Sequence, residues 1–428
     1  MTTRVSVGAS GRARLTLLPG LRRLWRDETA IQLGADPSRA VIMELPDPAA
    51  ARVLDLLDGS RTERTVLRDA KAAGVPAHVT TAMLAALRSA NLVIGTDSLV
   101  PPSMPEGVRR RLVAEAAAIA MAARAPDIPG LIDGTPHPAE GTSHAAEGKS
   151  HTVDGTSHTV DGTSHTAAGG VPGGTATPKA ATIPAEAMRR RAATSVQITG
   201  ASRLVVPIAA GLARAGVGHV DPALTGRVGV HDDTVGGLTP ADTDRPRGTA
   251  ASEAVLRAAP FTDTRALRVG GASFVVQIGQ GVPAELAAFA YARKSLAHLL
   301  IEERDDTVLV GPLVPPGGSP CLRCLDLHRR DRDPAWPTLV AQLATSMDAA
   351  PTISTATTLI AVGVAVAQVL AYLDTDEAPT IGASIEVGPP STVRRRSWQA
   401  HPKCDCAVRS RHRRRARSGR TDSALLGD

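Results

Sequence analysis

Residues 195–221 read SVQITGASRLVVPIAAGLARAGVGHVD, and this stretch decides the fold of the second half of the chain. Residues 195–200 alternate apolar and polar side chains up to a glycine, which predicts a strand, and residues 204–215 have the apolar periodicity of a helix. Residues 217–221 predict a second strand. A strand, a helix and a strand in this order predict a βαβ unit, so we expect an α/β sheet from about residue 194 onward.

Further elements follow in the same alternation. Helices are predicted at residues 253–259 and 284–294, and strands at residues 274–278, 297–301 and 307–310. The expected assembly is a doubly wound, Rossmann-like α/β sheet with helices on both faces.

One long apolar stretch, residues 349–373, is charged only at its edges. A helix that is apolar on all sides is buried either in protein or in lipid. The stretch contains several threonines and one glutamine within an α/β pattern. This composition favours a core helix at residues 353–373 over a membrane span.

A small α+β domain is predicted ahead of the sheet, at residues 13–100. Residues 30–34 and 39–43 predict a β-hairpin, and residues 92–94 predict a short strand. Helices are expected from Pro48 onward and at residues 62–73 and 79–89. Such an inventory is typical of a winged helix-turn-helix.

Residues 101–190 differ in composition from the segments on either side. An alanine-rich run at 109–124 predicts a helix, and residues 140–167 form four seven-residue repeats that each carry Gly-x-Ser-His. The repeats are too polar for a coiled coil and predict a flexible linker. Their histidines are a candidate for weak metal binding, disfavoured by the entropy of ordering a flexible array.

Charge concentrates in a tail at residues 409–428, which holds seven Arg and two Asp. It predicts a disordered basic end, with nucleic acid or an anionic surface as the alternative contact. No aromatic residue lies between Trp25 and Phe261, which excludes a base-stacking platform there. The N-terminus shows no secretion signal, and we expect a cytoplasmic protein without a membrane partner.

The four cysteines of the chain form two close pairs, Cys321 with Cys324 and Cys404 with Cys406. Paired thiolates on tight turns are typical ligands of a structural, four-coordinate zinc ion. His328 and His401 are substitute ligands. Free or redox-active cysteine pairs are the alternative, and a cytoplasmic setting argues against disulfides.

The turn at residues 200–205 follows a strand and precedes a helix, where backbone amides bind phosphate in nucleotide-binding proteins. Gly200, Ser202 and Arg203 are candidate phosphate-binding residues, and Asp221 is the candidate ribose-binding acid. Ser202 and Val205 stand where a nucleotide loop has glycine. This departure favours a degenerate loop over a functional one.

These motifs resemble a known family. Residues 200–221, Gly311-Pro312-Leu-Val-Pro-Pro-Gly317, the run CLRCLDLH at 321–328, and residues 331–337 and 398–406 are similar to ThiF/MoeB-type proteins, relatives of ubiquitin-activating enzymes. The resemblance is greatest to the actinobacterial branch associated with cyclodehydratases of thiazole/oxazole-modified peptides. Residues 15–95 resemble its PqqD-like, winged-helix leader-recognition domain.

The resemblance implies binding sites for a nucleotide, a zinc ion and a peptide. Active members bind MgATP and adenylate a peptide carboxylate, and their tetrathiolate zinc is structural. In the peptide-modifying branch a precursor leader peptide adds as a strand to the winged-helix hairpin. By this resemblance, the peptide would contact four residues of the predicted hairpin in this chain. The candidate peptide-binding residues are Ile31, Leu33, Val41 and Met43. A partner cyclodehydratase and a homodimer are also implied.

Three functions remain open at this stage. The favoured one is a leader-binding scaffold with a degenerate adenylation site, because the chain after Asp221 also lacks the Asn-x-x-Arg signature of active members. The second is an active adenylyltransferase in which Arg227 or the arginines at 189–191 stabilise the transferring phosphoryl group. The third is a DNA-binding regulator that uses the basic helix residues Arg61, Arg64, Arg68 and Lys71.

Overall fold

The structure is a computed structural model and describes residues 13–37, 39–124, 184–279, 282–345, 352–389 and 391–406. The repeats at 140–167 and the basic tail from residue 409 lie outside the described residues, so the predictions about them stay predictions. The described residues on either side of the repeats cluster into one compact unit.

The N-terminal part contains two small sheets and several helices. Strands β2, β3 and β4 form one antiparallel sheet in that order, and β5, β1 and β6 form the other. The elements are β1 (Arg14–Leu17), β2 (Arg23–Trp25), β3 (Ala30–Leu33), β4 (Val41–Glu44), α1 (Arg52–Asp55), β5 (Asp58–Thr62), α2 (Glu63–Ala72), α3 (Ala77–Ser89), β6 (Val93–Gly95), α4 (Thr96–Leu99) and α5 (Glu106–Ala122).

The predicted hairpin is present as β3 and β4, and one further strand, β2, joins it to complete its sheet. Strand β5 lies where the sequence predicted only the end of a helix at Asp58-Gly59. Gly59 has a φ of +84°, which a residue with a side chain rarely adopts. Whether this part is a winged helix stays a prediction.

Packing of the N-terminal part follows the apolar pattern of its helices. Helix α2 begins at the capping Thr62, whose hydroxyl accepts a hydrogen bond from Thr65 N–H, and it buries Val66 and Ala70. Helix α5, in the segment predicted as the start of the linker, packs against the same core through Met121.

The C-terminal part is built on a seven-stranded mixed sheet of order β13-β12-β11-β10-β9-β7-β8. Strands β8, β7, β9 and β10 are parallel to one another, and β11, β12 and β13 extend the sheet in antiparallel fashion. The elements are α6 (Pro184–Ala192), β7 (Ser195–Thr199), α7 (Val205–Arg214), β8 (His219–Ala223), α8 (Arg247–Ala258), β9 (Phe274–Ile278), α9 (Ala284–Arg293), β10 (Ala297–Arg304), β11 (Thr307–Val314), α10 (Leu322–Arg332), α11 (Trp336–Thr345), α12 (Thr355–Thr375), β12 (Ala383–Gly388) and β13 (Thr392–Ser397).

The parallel half agrees with the predicted Rossmann-like assembly. The antiparallel strands β12 and β13 were not predicted, because β13 carries three consecutive arginines and lacks the apolar pattern of a strand. The order of the strands reverses at β7, with β8 on one side and β9 on the other. In open α/β sheets ligands bind outside the carboxyl ends of the strands at such a point.

Helix α12 lies against the sheet. Within the described residues it is the one helix long and apolar enough to cross a membrane by length and composition. One face of it, including Ala361, Ala365 and Val369, is buried in the main core with the strands. This packing is that of the predicted core helix; the cellular location stays a prediction.

Candidate functional site

A cavity of about 700 Å³ opens at the reversal point of the sheet. Thr199, Ala223 and Ile278 line it from the carboxyl ends of β7, β8 and β9, and Gly20 and Arg22 line it from the N-terminal part. The predicted loop residues Gly200, Ser202 and Arg203 also line this cavity. The fold therefore brings three of the four candidate nucleotide residues together.

Gly200 is required by the close approach of two strands. Its φ is +120°, and a Cβ there would lie 2.1 Å from the carbonyl oxygen of Ile278. No side chain fits that gap. The glycine thus holds the loop after β7 against the end of β9.

Ser202 is occupied by contacts within the protein. Its hydroxyl accepts a hydrogen bond from Leu204 N–H at 3.0 Å and donates one to Glu303 Oε1 at 3.0 Å. Glu303 lies near the end of β10, a strand from which the sequence analysis proposed no nucleotide-binding residue. A carboxylate of the protein itself therefore lies beside the first turn of α7, where an anionic ligand is expected to bind.

Burial raises the pKa of the Glu303 carboxyl, and the Ser202 hydrogen bond and the charges of Arg203 and Arg22 oppose that rise. The carboxyl remains part of the cavity wall. An acid in this position repels a phosphate group whenever it is ionised.

Arg203 directs its guanidinium into the protein. Its Nη2 donates to the carbonyl oxygen of Ile353 and, at 3.1 Å, to the hydroxyl of Thr358. Its buried Nε has no hydrogen-bond partner among the residues that the structure describes, and desolvation lowers the pKa of the guanidinium. Arg203 thereby ties the loop to the start of α12.

Asp221 lies apart from the cavity. It is buried in the middle of β8, where its Oδ2 accepts hydrogen bonds from Gln197 Nε2 at 3.0 Å and from Leu267 N–H at 2.9 Å. It is not among the residues that line the cavity, which at this strand are Ala223, Leu224 and Thr225. A contact between Asp221 and ribose stays a prediction.

Three of the four arginines considered for phosphoryl stabilisation are engaged elsewhere. Arg227 donates to the carbonyl oxygen of Asp244, Arg190 pairs with Glu186 at 2.8 Å, and Arg191 pairs with Asp374 at 2.5 Å. None of the three lines the cavity.

Several lining residues were missed because they come from distant parts of the sequence. Glu303 and Asp305 belong to the charged run EERDD at 302–306, which resembles an ordinary polar turn between two apolar strands. Tyr291 donates a hydrogen bond to Gln277 Oε1 at 2.8 Å, and burial raises the pKa of its phenol to about 12. No local motif signals these residues.

Asp305 connects the cavity to the β3–β4 turn. Its carboxylate accepts hydrogen bonds from Ala35 N–H at 2.9 Å and Asp36 N–H at 3.0 Å. Arg39, three residues further along the same turn, pairs with Asp306 at 2.5 Å. The hairpin that the sequence assigns to peptide binding is therefore fastened to the β10–β11 turn beside the cavity.

The four candidate peptide-binding residues lie on this hairpin. Ile31 and Leu33 belong to the central strand β3 and are buried in the core, as is Met43 of β4, whereas Val41 is half-buried. These four side chains pack in or against the core of the N-terminal part. The backbone of β4 forms an edge of its sheet, and Ile42 is 52% exposed on that strand.

The four cysteines gather at one point. All four Sγ atoms lie within 4.8 Å of one another, with Cys321 to Cys404 at 3.8 Å and Cys324 to Cys406 at 3.3 Å. A tetrahedral zinc tetrathiolate has sulfurs about 3.8 Å apart, from Zn–S bonds of about 2.3 Å. The cluster therefore fits a four-coordinate metal ion and leaves no open coordination position.

The local fold presents these thiols and excludes the histidines. Cys321 caps α10, so both thiols of the first pair lie at the positive end of that helix. His401 accepts a hydrogen bond from Lys403 N–H at its Nδ1 and contacts Asp331 at 2.7 Å through Nε2. His328 Nε2 contacts the Gln399 carbonyl at 3.0 Å. Both substitute ligands are thus engaged with other groups.

The basic residues considered for DNA binding are partly neutralised. Arg61 pairs with Asp58 at 2.6 Å and with Asp69 at 3.1 Å, and Arg68 pairs with Asp69 at 2.9 Å. These ion pairs reduce the positive charge available to a phosphate backbone.

No protein-family model matches this chain, and no curated protein matches it. Solved structures that are similar include E. coli MccB with ATP, at 11% identity and a TM-score of 0.42, covering 92% of this chain and 99% of that one. The microcin C7 biosynthetic enzyme MccB in complex with N-formylated MccA has 10% identity, a TM-score of 0.42 and the same coverage. Selenomethionine PaaA has 15% identity and a TM-score of 0.37, covering 50% of this chain and 76% of that one.

MccB is a ThiF/MoeB-like enzyme. Identities and TM-scores of this size assign no activity, substrate or partner to the present chain.

Proposed function

We propose that this chain is a leader-binding scaffold in the biosynthesis of a ribosomal, azoline-containing peptide, and that its adenylation site is degenerate. In this proposal residues 13–100 recognise the precursor leader peptide, and residues 191–408 form a ThiF-like domain that docks a partner cyclodehydratase. The cysteine cluster holds a structural zinc ion that fastens residues 404–406 to α10.

The observation that carries the proposal is the contact between Ser202 and Glu303. In a nucleotide loop the atoms at the start of the helix are available to phosphate. Here the Ser202 hydroxyl is used by Leu204 N–H and Glu303, and Arg203 points into the protein. The Ser202 hydroxyl, the Leu204 N–H and the Arg203 Nη2 are therefore already engaged within the protein, and a carboxylate is added to the site.

The peptide is proposed to add to the outer edge of β4. Strand β3 has neighbours on both sides, and the outer edge of β2 contacts α11 through Gln342. Strand addition uses main-chain hydrogen bonds for affinity and exposed side chains for selectivity. Ile42, rather than the buried residues of the hairpin, is the apolar side chain offered to such a peptide.

The second candidate, an ATP-dependent adenylyltransferase, is favoured by the position and size of the cavity. It lies at the reversal point of the sheet, has a volume suited to a small ligand, and is bordered by the closely packed Gly200. Ser202, Arg203 and Asp221 would then require rearrangement to reach nucleotide.

Calorimetric titration of MgATP into zinc-loaded, full-length protein separates the two candidates. The scaffold proposal predicts no heat of binding at millimolar MgATP. It also predicts that Glu303→Ala, which removes the carboxylate from the first turn of α7, gains measurable affinity for MgATP, whereas Glu386→Ala on the distant strand β12 does not. Micromolar binding by the unchanged protein, with peptide-dependent pyrophosphate exchange, would falsify the degenerate site.

A further inference from the structure

Most charged groups around the cavity are satisfied within the protein. Asp232 pairs with Arg247 at 2.7 Å and also accepts from Gly229 N–H. Asp305 holds Ala35 and Asp36 by their backbone N–H groups. These contacts lie within the cavity wall, and they leave these charged groups with few free hydrogen-bonding positions for a ligand.

Arg22 and Glu303 differ from the other charged residues. Arg22 lines the cavity and is half-buried, and its guanidinium forms no hydrogen bond or ion pair with any residue in the described ranges. Glu303 uses Oε1 for Ser202, and no hydrogen bond to its Oε2 is present among the described residues. The two also share the wall of a smaller adjoining space of about 40 Å³, yet they form no ion pair with each other.

The charges of Arg22 and Arg203 act on Glu303 only at a distance. A half-buried guanidinium that no carboxylate contacts is costly, and so is an ionised carboxylate that no cation contacts. A ligand that brings a carboxylate to Arg22 and an ammonium group to Glu303 removes both costs together. The wall beside them is apolar, with Leu224, Ile278 and Val282 from three different elements. Such a surface suits an aliphatic or neutral side chain.

We propose that the cavity binds a free α-amino acid, with its carboxylate on Arg22 and its ammonium group on Glu303. This assignment rests on the proposed function, because it gives the cavity a ligand class in place of nucleotide. Arg22 comes from the N-terminal part and Glu303 from the end of β10, so the ligand contacts both parts of the molecule. Binding should therefore stabilise their association.

The probes are the standard L-amino acids, added singly at millimolar concentration to zinc-loaded, full-length protein. Thermal unfolding identifies those that bind, and calorimetry then measures each one beside its N-acetyl and its amide derivative. Each derivative lacks one charge, so we expect affinities roughly ten- to a hundredfold weaker for both, the range set by one charge-assisted hydrogen bond.

Two variants test which residue binds the carboxylate of the ligand and which binds its ammonium group. Arg22→Gln should abolish the preference for the acid over its amide, and Glu303→Gln should abolish the preference for the amine over its N-acetyl form. Arg23→Gln is the matched control, because Arg23 pairs with Asp55 on the surface outside the cavity. The derivatives test the proposal on the unchanged protein even where a variant fails to fold.

The proposal is overturned if no amino acid binds, or if the derivatives bind as well as the free amino acids. The MgATP titration is read separately. Micromolar binding of MgATP that displaces the amino acid would remove both proposals, because the cavity would then be a nucleotide site. Absence of both ligands would remove only the present inference.

Discussion

Gln342 of α11 makes two hydrogen bonds to the backbone of Trp25 in β2. Its Oε1 accepts from Trp25 N–H at 2.7 Å, and its Nε2 donates to the Trp25 carbonyl at 2.6 Å. Two residues paired in an antiparallel sheet exchange the same two bonds. The side-chain amide thus takes the place of a neighbouring strand on the outer edge of β2, an edge that would otherwise be open to another chain.

Gln342→Ala should therefore destabilise the protein by about 1–3 kcal/mol, because it leaves a half-buried N–H and C=O without partners. Urea unfolding measures this loss, and hydrogen exchange should show a less protected Trp25 amide. Thr338→Ala, one turn earlier on the same helix and exposed, is the control and should change stability by less than about 0.5 kcal/mol. Equal effects of the two substitutions would remove the pairing role from Gln342.

The ion pair between Arg26 and Asp333 fastens the same junction. Its two hydrogen bonds measure 2.9 Å and 2.6 Å, and both side chains are about four-fifths buried. A double-mutant cycle with alanine should give a coupling energy near 1 kcal/mol, because a bidentate, partly buried pair lies at the upper end for such contacts. The pair formed by Arg23 of β2 and Asp55 of α1 has a single, more exposed contact and should couple by only about 0.2 kcal/mol. A cycle that gives the two pairs the same energy would contradict this reasoning.

The sequence predicted the parts of this fold that local patterns encode. The β7–α7–β8 unit was readable because its alternation and periodicity lie within one short stretch, and the cysteine pairs were readable because zinc ligation requires close spacing. Strand β1 was missed because its partners β5 and β6 lie far along the chain, so no hairpin signal marks it. Glu303 was missed for another reason: its position beside Ser202, about a hundred residues earlier, exists only after the sheet has formed.

Peptide binding at β4 gives a prediction that a matched pair of residues can test. Ile42 on β4 is 52% exposed, and Val393 on the other edge strand, β13, is 55% exposed. Peptides selected on the unchanged protein from a random displayed library should lose binding to Ile42→Asp, because the charge must be desolvated against the added strand. They should keep binding to Val393→Asp. Binding is measured by fluorescence anisotropy. If Val393→Asp lost binding and Ile42→Asp kept it, the peptide would bind at β13 instead.

His298 should make stability fall as the solution is acidified from neutral pH. Burial lowers the pKa of its imidazole from 6.5 to about 4, and its Nε2 has no partner in the described part of the chain. Above pH 6.5 the ring is neutral in both the folded and the unfolded states and has no effect. Between pH 6.5 and 4 the unfolded state takes up the proton first, so the folded state loses up to about 3 kcal/mol, at 1.36 kcal/mol per pKa unit.

His298→Phe keeps a ring against Tyr291, which lies 4.3 Å away between ring centroids, and removes the titrating group. The difference in unfolding free energy between the variant and the unchanged protein should therefore grow in favour of the variant from pH 6.5 down to 4. His78→Gln, at an exposed position on α3, should leave the pH dependence unchanged. A constant difference across this range would show that the imidazole stays uncharged in the unfolded state too, or titrates equally in both.

The proposed zinc ion gives a further prediction: its removal should loosen the end of the C-terminal part. The Sγ atoms of Cys404 and Cys406 are held against Cys321 and Cys324 of α10, and a metal-free cluster would leave four buried thiols with weak hydrogen bonds among them. Cys324→Ser and Cys404→Ser should each lower both the zinc content, measured by mass spectrometry, and the temperature of unfolding. Ser319→Ala is the control, since Ser319 Oγ lies 3.3 Å from the Cys406 sulfur but is outside the cluster, and it should retain one zinc ion per chain. Full zinc content in both cysteine variants would contradict the four-cysteine assignment, because a tetrathiolate site cannot lose a ligand without losing affinity.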